Sequence, residues 1–159
     1  MGERVYSLDN ARLKIEKYCA YQDRCHSEVK TKLRSFGLLS DTIDLIMIDL
    51  MNDDFLNEER FARSFVSGKF KIKQWGRIKI SQKLKEKQVS TKCIEFGMQE
   101  IDPESYQDTL EEIIVKKWVL AAKFSDYDRK GKVASYCYSR GFESDLIWKT
   151  IEVEPWLSA

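Results

Sequence analysis

Cys25 and His26 come closest, by residue type, to a nucleophile and its general base. They are adjacent in a stretch that reads as helix, where neighbouring side chains diverge by about 100°, so they do not share a proton. His26 is also the chain's one histidine. The carboxylate pairs Asp53–Asp54, Glu58–Glu59 and Glu111–Glu112 are sequence neighbours rather than groups facing each other across a cleft, and they read as charge in a turn or at a helix start. Cys19, Cys25, Cys93 and Cys137 form no Cys-x-x-Cys pair, and they read as buried free thiols rather than zinc ligands. Neither phosphate-cradling glycine loop, Walker A or Gly-x-Gly-x-x-Gly, is present. The expectation is a protein that is not an enzyme, with no metal and no cofactor.

Binding chemistry is better represented. Residues 69–87 read KFKIKQWGRIKISQKLKEK, seven lysines and one arginine against the single Glu86, in a chain whose formal net charge is +1. Charge runs often do no more than solvate a helix face. Here neutralising acids are nearly absent, so the segment repels itself without i,i+4 partners, which favours a binding surface. Its candidate contact residues are Lys69, Lys71, Lys73, Arg77, Lys79 and Lys83, with Ile80 and Leu84 holding their helix in place.

The elements that must position this segment follow from an internal repeat. At a shift of 51 residues, Val29, Leu33, Leu38, Ser40, Ile43 and Met47 match Ile80, Leu84, Val89, Thr91, Ile94 and Met98. At a shift of 104 they match Val133, Cys137, Phe142, Ser144, Ile147 and Ile151. Val29, Leu33 and Phe36 form an apolar stripe closed by Gly37, suited to a left-handed helix end, and Ser40 reads as the cap of the next helix. Another amphipathic segment precedes each pair. Asn57 caps one presenting Phe61, Ala62, Phe65 and Val66, and Asp102–Pro103 start one running through Tyr106, Leu110, Ile113, Ile114 and Trp118. In the first copy Leu13, Ile15, Tyr18 and Ala20 suggest the equivalent. Pro155 reads as the stop of the last helix.

The expected fold class is therefore all-α, a tandem array of three three-helix repeats with about nine helices, elongated or crescent-shaped. The copies span 1–56, with an N-terminal extension, 57–101, and 102–159, with a C-terminal tail. Composition agrees, with 43% apolar and 33% charged residues and only seven glycines and two prolines. No apolar run approaches eighteen residues, and MGERVYSLDN lacks the apolar core of a signal peptide. A cytoplasmic monomer is expected. Charge differs by copy: residues 1–57 carry −2, residues 58–99 carry +7 and residues 100–159 carry −4.

The array with a basic middle copy resembles the RecX family of bacterial regulatory proteins. The resemblance rests on FLNEERFARSFV at 55–66, on Gly76, Ile80, Leu84 and Val89, and on SRGFESDLI at 139–147, and it covers roughly residues 10 to 152. Two positions depart from the family pattern. Gln88 stands where glycine is usual, implying a looser helix end, and Asn57 stands where aspartate is usual, keeping a cap and losing a charge. The resemblance implies binding to RecA in the groove of its DNA filament, with restraint of ATP hydrolysis, filament growth and strand exchange, in recombination, DNA repair and the SOS response. The basic segment would then meet RecA carboxylates or the phosphates of single- or double-stranded DNA without sequence specificity, with Trp75 available for stacking or packing. The alternative is a helix-turn-helix DNA reader or transcription regulator, because a glycine turn between two helices permits that geometry. A mainly lysine surface carries little base-reading chemistry.

Overall fold

The computed structural model describes residues 6–153. Among these residues every regular element is an α-helix: α1 (Leu8–Tyr21), α2 (His26–Ser35), α3 (Ser40–Asn52), α4 (Glu58–Lys71), α5 (Arg77–Glu86), α6 (Thr91–Met98), α7 (Pro103–Leu120), α8 (Asp126–Ser139) and α9 (Ser144–Val153). The all-α class and the tandem three-helix repeats are as the sequence pattern requires. No described helix is long and apolar enough to cross a membrane. The stop assigned to Pro155 lies outside the described residues.

The helix starts follow capping chemistry, with one systematic correction. Ser7 caps α1, Asn57 Oδ1 accepts the Arg60 N–H (2.9 Å), and Asp102 accepts the Ser105 N–H (2.9 Å) with Pro103 in the first turn of α7. Ser40, read above as a cap, is the first helical residue of α3, as the repeat-equivalent Thr91 and Ser144 are of α6 and α9. For α3 the cap position falls on Leu39, which offers no side-chain bond, whereas Ser90 Oγ accepts the Cys93 N–H (3.2 Å) at the start of α6. A hydroxyl at the first helical position fits the same sequence pattern, so periodicity alone left the boundary uncertain by one residue.

Among the described residues, five helix ends carry a left-handed residue: Gly37 has φ 78°, as its sequence position suggests, and at four others the next residue reaches back across the last turn. Asp54, Gln88 and Gly141 have φ of 61°, 62° and 97°. Their N–H groups donate to Met51, Lys85 and Tyr138, and the next residues, Phe55, Val89 and Phe142, donate to Leu50, Leu84 and Cys137. Gln74 (φ 54°) ends α4, with the Trp75 N–H on the Lys69 carbonyl (3.1 Å). The Gln88 turn is therefore not loosened by losing glycine: it makes both bonds, at 2.9 and 3.1 Å, and Gln88 accepts the left-handed conformation.

The chain divides into two compact units, Met1–Phe65 with Leu84–Gly97, and Val66–Lys83 with Met98–Ala159. In the first, α1, α2 and α3 pack around Ile15, Val29, Leu33, Ile43, Ile46, Met47 and Leu50. The α1 stripe is Ala11, Ile15 and Cys19, spaced by four, and not Leu13–Ile15–Tyr18–Ala20; Leu13 is exposed. The period of four selects the face that α2 and α3 cover, and large apolar size alone misassigned it. In the second unit α7, α8 and α9 all touch one another around Tyr106, Leu110, Ile114, Val133, Cys137, Phe142, Ile147 and Ile151. Phe70, Tyr106 and Phe142 continue that core as successive ring contacts at 5.8 and 5.0 Å. Cys19, Cys25 and Cys137 are buried free thiols, as expected, and Cys93 is half-buried.

Candidate functional site

All six candidate cations, Lys69, Lys71, Lys73, Arg77, Lys79 and Lys83, lie in the second unit. Lys69 and Lys71 occupy the last turn of α4, Lys73 the following turn, and Arg77, Lys79 and Lys83 belong to α5. Lys71 and Lys73 are exposed, and Ile72 between them is 79% exposed. Three consecutive residues therefore project from the helix end. Trp75 is half-buried, and the ammonium groups of Lys69 and Lys79 lie 4.9 and 4.5 Å from the centre of its ring. That placement satisfies the ring with cation–π contacts inside the protein. It favours the packing role over an open stacking surface.

This turn is braced by Arg140–Gly141–Phe142–Glu143, the segment between α8 and α9. Arg140 donates from its guanidinium to the Lys73 carbonyl, while its own carbonyl accepts the Gly76 N–H (2.8 Å). The Gly141 carbonyl accepts the Ile78 N–H (3.0 Å), and the Arg77 N–H donates to the Tyr106 hydroxyl (3.1 Å). Donors at the start of α5, which an isolated helix leaves to water, thus find protein acceptors. The glycines make this approach possible. A Cβ on Gly76 would sit 2.3 Å from the Gly141 carbonyl carbon, and one on Gly141 would sit 2.4 Å from Lys79 Cβ.

Glu143 fixes Arg77. Its carboxylate accepts the Tyr106 hydroxyl (2.8 Å) and pairs with the Arg77 guanidinium (3.2 Å), which lies 3.9 Å over the Tyr106 ring. Burial, and then the Glu143 carboxylate, push the Tyr106 phenol well above its ordinary value, so it stays a donor. Arg77 is accordingly a partly exposed, internally paired cation, unlike Lys71 and Lys73. At the far end of the basic run, within the first unit, Lys87 donates to Glu28 (2.9 Å), a bond that raises its pKa, and its carbonyl accepts the Ser27 hydroxyl (2.7 Å).

The residues that position the site, Tyr106, Arg140, Gly141 and Glu143, were not singled out as functional by charge or spacing. The signal available was the run Arg-Gly-Phe-Glu itself, whose four residues supply a donor, a gap, a core ring and a counter-charge. Among the described residues no cluster of His, Cys, Asp and Glu could hold a metal ion.

With this geometry in view, comparison with known proteins is decisive for the family. Residues 57–97 match the second three-helix domain of RecX, and residues 104–151 match its third three-helix domain. The chain belongs to the RecX family. Regulatory protein RecX of Finegoldia magna is 24% identical over 131 residues, which cover 81% of this chain and 64% of that protein. The RecX of Prosthecochloris aestuarii is 26% identical over 135 residues, covering 85% and 87%. The chain spans 48% of the length of the Lactobacillus johnsonii RecX, which is 27% identical. Thus it spans about half to two thirds of several RecX relatives. A crystal structure of RecX from Lactobacillus salivarius superposes with a TM-score of 0.85 at 22% identity, covering 91% of this chain and 94% of that one. A second RecX crystal structure gives 0.83 at 20% identity, covering 92% and 72%. These two likenesses concern the fold.

Proposed function

We propose that this protein binds RecA and the RecA–DNA filament and restrains RecA's ATP hydrolysis, filament growth and strand exchange, as a monomeric cytoplasmic regulator without catalytic activity of its own. Family membership supports the regulatory class, and one observation carries the local assignment. The cationic turn at Lys69–Lys79 is braced by Arg140, Gly141 and Glu143, so its charges are presented from a backbone held at several points. A preorganised cationic turn loses little freedom on docking to carboxylates or phosphates in the filament groove.

A sequence-specific DNA reader is the weaker reading, because Arg77, the one arginine in the segment, is committed to Glu143 and Tyr106. The remaining lysines attract phosphate with little base information. The deciding measurement is RecA's ATP hydrolysis on single-stranded DNA with and without this protein, alongside its binding to duplexes of different sequence. Suppressed hydrolysis with no sequence preference supports the proposal; unchanged hydrolysis with a strong sequence preference overturns it.

A further inference from the structure

The net −4 of the third copy conceals a second cationic stretch. Residues 116–132 read KKWVLAAKFSDYDRKGK, five lysines and one arginine against Asp126 and Asp128, with aromatic residues interleaved. Several of these cations serve the fold. Arg129 donates to the Trp118 carbonyl (2.8 Å) with its guanidinium 3.9 Å over that ring, and Lys117 lies 3.9 Å over Tyr136. Lys130 and Lys132 are both exposed, although the Lys132 ammonium lies 4.3 Å from the centre of the Phe124 ring, and both line a groove of about 470 Å³ between α8 and α9.

The groove is built from one face of α8. Tyr127, Gly131 and Ser135 recur every fourth residue along it, while Val133, Ala134 and Cys137 turn into the core. Trp148 of α9 supplies the opposite wall. Tyr127 is 87% exposed and Trp148 41%, so two aromatic rings are left outside the core on the same groove. Gly131 lies on this groove. Glycine weakens a helix interior relative to alanine, yet a Cβ there would meet nothing within 4 Å. No packing contact requires it, and its lack of a side chain leaves the groove floor open to close approach. Asp128 also lines the groove, so two lysines against one carboxylate leave only weak net attraction and the rings must supply most of the affinity.

We propose that this groove binds unpaired nucleobases of a single strand of nucleic acid, with Tyr127 and Trp148 as stacking surfaces and Lys130 and Lys132 on the flanking phosphates. Base–aromatic stacking tolerates any sequence, because every base has a π-face. The inference does not depend on the filament reading, and its test contains no RecA.

A fluorescently labelled oligothymidylate is titrated with the whole chain and followed by anisotropy, beside an abasic strand of equal length and charge. Tyr127→Ala, at an exposed position, is expected to weaken oligothymidylate binding on the order of tenfold and to leave the abasic strand unaffected. Trp148→Phe keeps a stacking ring and should retain affinity, while removing part of the tryptophan quenching that accompanies saturation. Lys71→Glu with Lys73→Glu should leave the difference between the two strands intact. Equal binding of both strands, or no effect of Tyr127→Ala on oligothymidylate, overturns the proposal.

Discussion

Gly76 and Gly141 meet backbone to backbone: a Cβ on Gly76 would lie 2.3 Å from both the carbonyl carbon and oxygen of Gly141. Neither neighbour is the far end of a flexible side chain, so the contact has no easy relief. Gly76→Ala is expected to destabilise the protein by about 1–3 kcal/mol, the range of overpacking in a closely packed site. Gly141→Ala should do at least as much, because its φ of 97° also disfavours a side chain. Urea unfolding followed by circular dichroism checks both, and midpoints equal to that of the unsubstituted protein would contradict the geometry.

Gln88 offers the opposite experiment. It holds φ 62° without being glycine, and its turn already makes both closing hydrogen bonds. A non-glycine residue in that region costs about 1–2 kcal/mol, and glycine's added unfolded-state freedom offsets roughly 0.4–1 kcal/mol of the relief. Gln88→Gly should therefore raise stability by about 0.5–1 kcal/mol. The same unfolding curve reads the change.

Alkaline pH should unfold the protein through its buried thiols. Burial pushes Cys19 from 9.0 up to about 11 and Cys137 from 9.0 up to about 12. Each thiol remains protonated in the folded state while the unfolded chain begins to ionise near pH 9, so stability is full below pH 9 and falls as pH rises toward the folded values. Cys137→Ala should make the decline between pH 9 and pH 11 shallower. Thermal midpoints across that interval test the slope, and a steeper decline in the variant would refute the assignment.

The basic turn should separate binding from folding. Lys71→Glu and Lys73→Glu alter exposed side chains and should shift stability by less than about 0.5 kcal/mol. Lys79→Glu removes an ammonium from the Trp75 ring and should cost about 0.5–1 kcal/mol. Together the three changes should weaken filament binding on the order of tenfold at low salt and flatten its salt dependence. RecA inhibition by the folded triple variant at full strength would remove this surface from the mechanism.

The repeat was legible in the chain because each copy buries the same apolar positions of its second and third helices. Val29, Ile80 and Val133 are interchangeable in that role, and all are buried. Caps at Asn57 and Asp102 were legible for the same local reason, since their side chains bond the third residue onward. The limits appeared where local chemistry was degenerate. Ser40 as cap or first residue, and Leu13 or Ala11 as the buried face of α1, differ only through what packs against them.

The amino-acid sequence by itself determined the helical class, the threefold pattern and the concentration of charge at 69–87, because periodicity, capping and net charge are properties of a few neighbouring residues. Only the tertiary structure decided which cations are presented. Arg77 and Glu143 lie 66 positions apart, and nothing in the local text of either predicts that one neutralises the other. The meeting of Gly76 with Gly141 and the groove between Tyr127 and Trp148 are likewise products of packing. Such distances through space depend on how helices settle against a shared core, and no short window of sequence contains that information.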